Sequence, residues 1–158
     1  MDCFFGHMRA MLQRVSRASV SVEGELVASI DSGLLLLLGV GQEDGQEDVE
    51  WLASKVSRVR IWEDDAGLMN RSLTHVDGAV LVVSQFTLWG NLKKGSRPSY
   101  NRAAAPEPAR ALYQSFIHRL SEMMDKPVPC GRFGQHMEVE LVNDGPVTLI
   151  LDSRERSF

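Results

Sequence analysis

Alternating apolar and polar residues in the first quarter of the chain predict β-strands. Residues 9–22 alternate loosely and are rich in Val, and Glu25–Ile30 resumes the pattern after a turn at Glu23-Gly24. Residues 33–40 then form an apolar run with five consecutive leucines, which is typical of a strand buried on both faces. The chain therefore begins with a predicted hairpin and a third, buried strand.

Two later segments change to the period of a helix. In Gln46–Arg58 the apolar residues recur at intervals of three and four, which predicts an amphipathic helix. A second helix is predicted to begin at Pro106, because proline is tolerated in a first helical turn, and to end before Pro127. Its apolar face consists of Ala109, Leu112, Phe116, Leu120 and Met123.

The remaining apolar segments predict further strands. Ala79–Leu88 is the most apolar of them, and residues 89–105, which have no period, are predicted to form a long loop. Shorter strands are predicted at Arg60–Trp62, Val128–Phe133, Met137–Asn143 and Val147–Asp152. This order predicts an α+β fold: a single domain with a largely antiparallel β-sheet or barrel and two main helices.

The length of 158 residues fits one domain, and no linker or internal repeat divides it. We assign the domain to residues 8–152. Residues 1–7 are expected to be a disordered N-terminal extension, and residues 153–158 a polar C-terminal tail that frays.

Charge and composition exclude several classes of protein. The net charge of -4 disfavours a protein that coats DNA or RNA, because such binding needs a surplus of Lys and Arg. The longest apolar run is far shorter than the roughly 20 residues that span a bilayer, so we expect no membrane contact and a cytoplasmic location. Cys3 and Cys130 stand far apart, and the histidines lack metal-ligand spacing, so neither a disulfide, a metal nor another cofactor is expected.

One segment is basic within this acidic chain. Residues 84–102 contain Lys93, Lys94, Arg97 and Arg102 and no acid, so the remainder carries a net charge of -8. Two interpretations stay open: a solvated loop, or a loop that contacts phosphates beside a site at the end of the preceding strand.

Two short motifs carry a family resemblance. Ser-Gln-Phe-Thr-Leu at 84–88 reads by itself as a polar strand end, and Asn-Asp-Gly-Pro-Val-Thr at 143–148 reads by itself as a turn. Together they resemble the D-aminoacyl-tRNA deacylase family, and the resemblance extends from Met8 to about Leu151. Further matches are Gln13-Arg14-Val15, Ala18-Ser19-Val20, Met69-Asn70, Arg97-Pro98-Ser99 and Gly131-Arg132-Phe133 with Met137.

The resemblance implies a deacylase-type fold and a cofactor-free hydrolase. Such an enzyme cleaves the ester between a D-amino acid and the terminal adenosine of tRNA, removes glycine from mischarged tRNA, and rejects L-aminoacyl-tRNA. The family works as a homodimer in which a cis Gly-Pro of one subunit enters the site of the other and blocks L side chains. Its partner is the 3′ end of aminoacyl-tRNA, with no role for a membrane or DNA.

The resemblance also implies a set of site residues. The catalytic candidates are Ser84, Gln85, Phe86 and Thr87. The chiral wall is expected at Gly145 and Pro146. The supporting or pocket residues are expected to be Arg14, Phe133, Met137, Asn143 and Thr148, with a surface salt bridge for Arg14 and core packing for Phe133 and Met137 as the alternatives. Contacts to tRNA are expected from Lys93, Lys94 and Arg97.

The residues favour water attack on the ester over a covalent intermediate. Thr87 has no evident His or Lys partner in the sequence to activate it, so backbone N–H groups around Phe86 and Thr87 are predicted to stabilise the oxyanion. The resemblance also implies that the 2′-hydroxyl of the substrate's own adenosine assists the reaction, which agrees with direct attack by water. Three alternatives stay open: a non-enzymatic nucleic-acid-binding barrel, a small esterase with Ser84 or Thr87 as nucleophile, and a scaffolding homodimer without catalysis.

Overall fold

The structure is a computed structural model that describes residues 7–156. The strands are β1 (Arg9–Val22), β2 (Glu25–Ile30), β3 (Gly33–Gly39), β4 (Arg60–Glu63), β5 (Met69–Ser72), β6 (Ala79–Ser84) and β7 (Glu138–Asp152). The helices are α1 (Gln46–Arg58), the single turn α2 (Leu73–Val76) and α3 (Pro106–Met124), with a 3₁₀ turn at Phe86–Trp89.

The long strand β1 organises the main sheet. Along one edge it pairs antiparallel first with β3 and then with β2, and along the other edge it pairs antiparallel with β7. The β6 strand runs parallel to β3, and β4 and β5 form a separate ribbon. The predicted β1–β2 hairpin is confirmed, and its turn places both Glu23 and Gly24 at positive φ, as two-residue hairpin turns require. The predicted α+β fold with a largely antiparallel sheet and two main helices is confirmed.

Alternate residues of the central strands enter two hydrophobic clusters. On β3, Leu34 and Leu36 join the cluster that includes α1 and α3 residues, whereas Leu35 joins a second cluster with Leu81 and Val83. Both faces of β3 are therefore buried, as the run of leucines predicts.

One predicted strand ends earlier than expected, and another predicted strand does not form. The strand predicted at Ala79–Leu88 ends at Ser84, where the chain turns into the 3₁₀ turn. The segment Val128–Phe133 is not a strand, because only Cys130 bridges to β6 and the neighbouring prolines lack the N–H that a sheet ladder needs.

The two strands predicted at Met137–Asn143 and Val147–Asp152 are one strand, β7. The chain does not reverse at Asn143–Val147, since both halves of β7 pair antiparallel with β1. The Asn143 side-chain amide donates to Arg14 O at 2.9 Å and to Val147 O at 3.1 Å. This amide holds the two halves of β7 in line beside β1.

The C-terminal segment is ordered at its start. Ser153 is fully buried, its N–H donates to Met8 O at 2.9 Å, and its hydroxyl donates to Asp48 Oδ1 at 2.6 Å. The expectation that the tail frays from residue 153 is therefore wrong for Ser153. Residues 1–6 of the expected N-terminal extension lie outside the described residues, and His7 is hydrogen-bonded to Asp152 at 2.8 Å.

Candidate functional site

The motif at 84–88 forms a tight turn at the end of β6. Ser84 is the last residue of β6, and the Gln85 N–H that follows it donates to Leu38 O on β3 at 2.7 Å. Gly39 lies directly beneath the turn: a Cβ there would stand 3.0 Å from both Gln85 O and Leu88 Cβ. The missing side chain of Gly39 therefore lets the turn pack against the sheet.

Two backbone donors in this turn are unused. The Leu88 N–H donates to Gln85 O at 3.2 Å and the Gly90 N–H donates to Thr87 O at 2.9 Å. Among residues 7–156, the N–H groups of Phe86 and Thr87 have no acceptor, as is normal for the first residues of a helical turn. Adjacent free N–H groups of this kind are suited to bind a developing oxyanion.

The side chains of the turn are open to solvent. Phe86 is 57% exposed and lies edge-to-face against Tyr100, with 5.0 Å between the ring centroids. The Thr87 hydroxyl accepts a hydrogen bond from the side-chain amide of Gln85. Within the described residues, no histidine, lysine or carboxylate contacts this hydroxyl, so Thr87 lacks a base that would activate it as a nucleophile.

The motif at 143–148 forms a bulge in β7. Asn143 lies opposite Val15 and Thr148 opposite Gln13, so β7 advances five residues while β1 advances two. Asp144, Gly145 and Pro146 are exposed in this bulge, whereas Val147 is half-buried and packs against the main hydrophobic cluster. Within them the Gly145-Pro146 bond is cis.

Gly145 is fitted to this backbone. Its φ of +144° lies in the region that side chains rarely adopt, and a Cβ would stand 2.6 Å from Val147 N. Glycine is therefore required at this position for the bulge to take this path.

Arg14 supports the bulge from beneath. Its Nε donates to Asp144 O at 3.1 Å, and its Nη1 donates to Ile61 O at 2.5 Å. The side chain also pairs with the Asp144 carboxylate at 3.4 Å, yet Arg14 is only 8% exposed. Arg14 is therefore more than a surface salt bridge, because its buried guanidinium donates to the carbonyls of Asp144 and Ile61. A hold on the carbonyls of Gly145 and Pro146 themselves stays a prediction.

The turn and the bulge of one chain lie apart on the sheet. Ser84 is level with Leu38, Ala10 and Leu151 in adjoining strands, whereas the bulge lies beyond the Gln13 row. Three strand spacings, roughly 14 Å, and at least about 10 Å along the strands separate them. The catalytic and chiral candidates are thus not brought together along this sheet.

Two of the pocket candidates occupy different parts of the core. The Phe133 ring packs against Tyr113, and the Arg110 guanidinium lies 5.1 Å above it, beside an open groove of about 620 Å³ next to α3. Met137 packs with the second hydrophobic cluster, where its Sδ closely covers Gly131. Core packing accounts for both residues, and their substrate role stays a prediction.

Thr148 and the basic loop make few contacts. The Thr148 hydroxyl accepts a bond from Gln13 Nε2 at 3.5 Å. In the loop predicted at residues 89–105, Asn91 and Ser99 donate backbone hydrogen bonds to each other's carbonyls at 2.9 Å. Its predicted tRNA-contacting side chains are exposed and form no ion pair with the residues from 7 to 156; they are Lys93, Lys94 and Arg97.

Sequence reasoning missed the residues that anchor the turn. Trp89 closes the turn and is only 4% exposed, and Arg9 lies over its ring at 4.2 Å from guanidinium carbon to ring centroid. Sequence offers no signal for this contact, because the two residues are 80 positions apart in the chain.

A half-buried acid, Asp44, lies near this anchor. Burial raises the pKa of Asp44 to about 7, although the Gly41 N–H bonded to it at 2.6 Å acts in the opposite direction.

Across residues 7–156, no group of three His, Cys, Asp or Glu side chains is arranged to hold a metal ion. No helix in the same range is long and apolar enough to cross a bilayer.

Comparisons with known proteins agree with the motifs. A family model described as D-Tyr-tRNA(Tyr) deacylase matches residues 11–152. The D-aminoacyl-tRNA deacylase of Thermomicrobium roseum is 56% identical over 148 residues, which are 94% of this chain and 96% of that protein. The protein of the same name from Chloroherpeton thalassium is 55% identical over 146 residues, 92% of this chain and 96% of that one.

Two solved structures are similar in fold. One, named c-Myc DNA Unwinding Element Binding Protein, has a TM-score of 0.85 and 38% identity and covers 90% of this chain and 97% of its own. The other, described as a probable eukaryotic D-amino acid tRNA deacylase, has a TM-score of 0.79 and covers 92% and 99%; at 19% identity it supports the fold alone. Since the family model and relatives above 50% identity span nearly the whole chain, the protein belongs to the D-aminoacyl-tRNA deacylase family.

Proposed function

We propose that this protein hydrolyses the ester of D-aminoacyl-tRNA and releases a free D-amino acid and tRNA. Membership of the deacylase family supports this function. The observation that assigns the reaction to the turn is the pair of unused backbone N–H groups at Phe86 and Thr87. We place the reaction in the cytoplasm, where aminoacyl-tRNA is used.

The proposed chemistry is addition of water to the ester carbonyl. The attacking oxygen forms the new C–O bond, and the carbonyl electron pair moves onto oxygen, where the N–H groups of Phe86 and Thr87 stabilise the negative charge. The tetrahedral intermediate then collapses, the bond to the ribose oxygen breaks, and that oxygen takes up the proton that water lost. The neighbouring 2′-hydroxyl of the substrate is suited to relay this proton.

Thr87 serves this mechanism as a backbone donor. Its hydroxyl is bonded to the Gln85 amide, which cannot act as a base. We expect Thr87→Ala to keep single-turnover deacylation within about tenfold of wild type. Trapping of an acyl-enzyme on Ser84 or Thr87 would instead establish the esterase alternative.

The backbone donor at Phe86 is directly testable. Phe86→Pro removes this N–H, and proline suits the first position of a helical turn. Loss of one oxyanion donor is expected to lower kcat by about 10²- to 10³-fold. Phe86→Ala is the matched control, since it removes the ring and keeps the N–H; equal losses in both variants would refute an oxyanion role.

We further propose that discrimination requires a homodimer. The Gly145-Pro146 element is exposed and lies away from the turn of its own chain, which supports a role at the turn of a second copy. On the same strand Val142 is 41% and Ile150 51% exposed, which supplies apolar surface for a partner to cover. A rigid backbone wall of this kind rejects L side chains by steric conflict and accepts glycine, which has no side chain.

The decisive assay compares D-aminoacyl-, L-aminoacyl- and glycyl-tRNA with the same tRNA. We expect hydrolysis of the first and third, and little of the second. Pro146→Ala should lower the ratio of D to L hydrolysis while retaining most activity on the D substrate. An unchanged ratio in this variant would refute the wall.

A second function is suggested by the relative named for binding a DNA element. The basic side chains at 93, 94 and 97 are suited to DNA phosphates as well as to tRNA. We retain the prediction that this chain does not bind DNA, and duplex binding at physiological salt tests it. Micromolar or tighter binding that is lost when Lys93 and Lys94 are changed to Ala would support the second function.

A further inference from the structure

Arg9 connects three parts of the molecule. It stands on β1, and its Nε donates to Asp152 Oδ2 at 2.9 Å on β7. Its Nη1 donates to Leu88 O at 3.3 Å, and its guanidinium lies 4.2 Å from the centroid of the Trp89 ring. One side chain therefore contacts the end of β7 and the last two residues of the 3₁₀ turn.

The β7 end of this connection is rigidly held. Asp152 is buried, and burial alone would raise its pKa. The N–H of Glu155, the guanidinium of Arg9, the N–H of Arg154 and the His7 ring outweigh burial and hold the pKa of Asp152 below its usual value. Asp152 is therefore a fixed carboxylate against which Arg9 is oriented.

At the other end of this connection, the Trp89 ring is closely packed. The Trp89 ring lies so close to Gly41 that a Cβ on this glycine would stand 2.7 Å from the ring. Arg102 approaches the same ring at 5.5 Å from its centroid, and His7 meets it edge-on at 6.2 Å. Movement of Trp89 would carry along the turn that ends with it, including the N–H groups of Phe86 and Thr87.

We propose that Arg9 is a positioning residue for the deacylase site: by bridging Asp152, Leu88 and Trp89 it fixes the turn at 85–89 relative to β7. The inference rests on the proposed function, because the turn carries the proposed oxyanion donors. The Gly145-Pro146 element of the same chain is proposed to act on the turn of a second copy, so Arg9 positions the turn alone.

The arrangement requires the planar guanidinium. Arginine presents several N–H donors in one plane, so it can donate to Asp152 and to Leu88 O while its face rests on an aromatic ring. Lysine keeps the charge but has a single nitrogen on a flexible stem. Arg9→Lys should therefore preserve the pairing with Asp152 and lose the control of the turn.

The test measures kinetics and amide exchange in the same variants. Arg9→Lys should lower kcat for D-aminoacyl-tRNA by about 10- to 100-fold, because small displacements of reacting groups have effects of this size. KM should stay within about twofold, and the denaturant midpoint should stay near that of wild type. Arg17→Ala, an exposed arginine on the same strand, is the matched control and should behave as wild type.

Hydrogen exchange gives a readout that does not depend on activity. The amides of Leu88 and Gly90, which donate to Gln85 O and Thr87 O, should exchange at least about tenfold faster in Arg9→Lys and Arg9→Ala than in wild type. The amides of β3 should be unchanged. Unchanged exchange at Leu88 and Gly90 would overturn the proposal, as would a kcat that falls only in proportion to the unfolded fraction.

The two failures are distinguishable. If wild-type protein does not hydrolyse D-aminoacyl-tRNA, the proposed function fails while the exchange arm still decides whether Arg9 holds the turn. If wild-type protein is active and Arg9→Lys keeps full kcat, the positioning role fails and the proposed function stands.

Discussion

The turn at 84–89 and the bulge at 143–148 are supported in opposite ways. The turn lies over Gly39 and ends in the buried Trp89 ring, so its position is set by packing within its own chain. The bulge is exposed and is held from one side only, by Arg14 and Asn143. The position of the turn therefore depends on packing within its own chain, whereas the Gly145-Pro146 backbone stays open to solvent, as the proposed contact with a second copy requires.

The largest effect is expected at the support of the bulge. Arg14→Ala leaves Asp144 O and Ile61 O without their buried donor, which should lower the free energy of unfolding by about 3 kcal/mol. The D-to-L ratio should fall with it, because the bulge loses its fixed path. Denaturant unfolding and paired deacylation assays measure both, with Arg17→Ala as control; a stable variant with full discrimination would show that the bulge needs no support.

A smaller loss of stability and discrimination is expected from a substitution within the bulge itself. Gly145→Ala places a Cβ 2.6 Å from Val147 N at a φ of +144°, which should cost about 1–3 kcal/mol of stability and erode discrimination. Gly134→Ala is the matched control, since Gly134 also has positive φ but no atom within 4 Å of its Cβ position. Equal effects of the two substitutions would assign the loss to backbone conformation and not to the bulge.

Asp44 lies near the Trp89 end of the turn, and its titration should make the stability of the protein depend on pH. Its pKa is raised to about 7, so the folded state favours the protonated acid, and the stability that this group contributes is lost as pH rises from about 4 through 7. Asp44→Asn should therefore gain stability relative to wild type between pH 5 and pH 8, measured by urea unfolding. The exposed neighbour Glu43→Gln serves as control, and parallel pH curves for Asp44→Asn and wild type would contradict the assignment.

The smallest effect is expected in the basic loop next to the turn. Replacing Lys93, Lys94 or Arg97 by Ala should raise KM for aminoacyl-tRNA about two- to threefold each and leave kcat unchanged, because exposed phosphate contacts are individually weak. The salt dependence of KM should become shallower. Lys55→Ala on α1 removes the same charge elsewhere; an equal effect there would point to net charge and not to a contact.

The comparison also shows what sequence could predict. Periodicity located α1, α3 and the buried strand β3, because those patterns reflect burial of one face or of both. Periodicity failed where long-range contacts decide the path of the chain. Asn143 bridges Arg14 and Val147 across the bulge, so β7 continues as one strand along β1. Gly39 allows β6 to end in a turn. The motif residues were predicted by resemblance, whereas Arg9 and Trp89 meet only in the folded chain.

The central claim is that the bulge of one chain acts on the turn of another. A purified heterodimer tests it most directly, with Phe86→Pro in one chain and Pro146→Ala in the other. If the wall acts across the dimer, the one site with an intact turn also receives an intact wall, and the D-to-L ratio equals that of wild type. A ratio equal to that of the Pro146→Ala homodimer would contradict the claim.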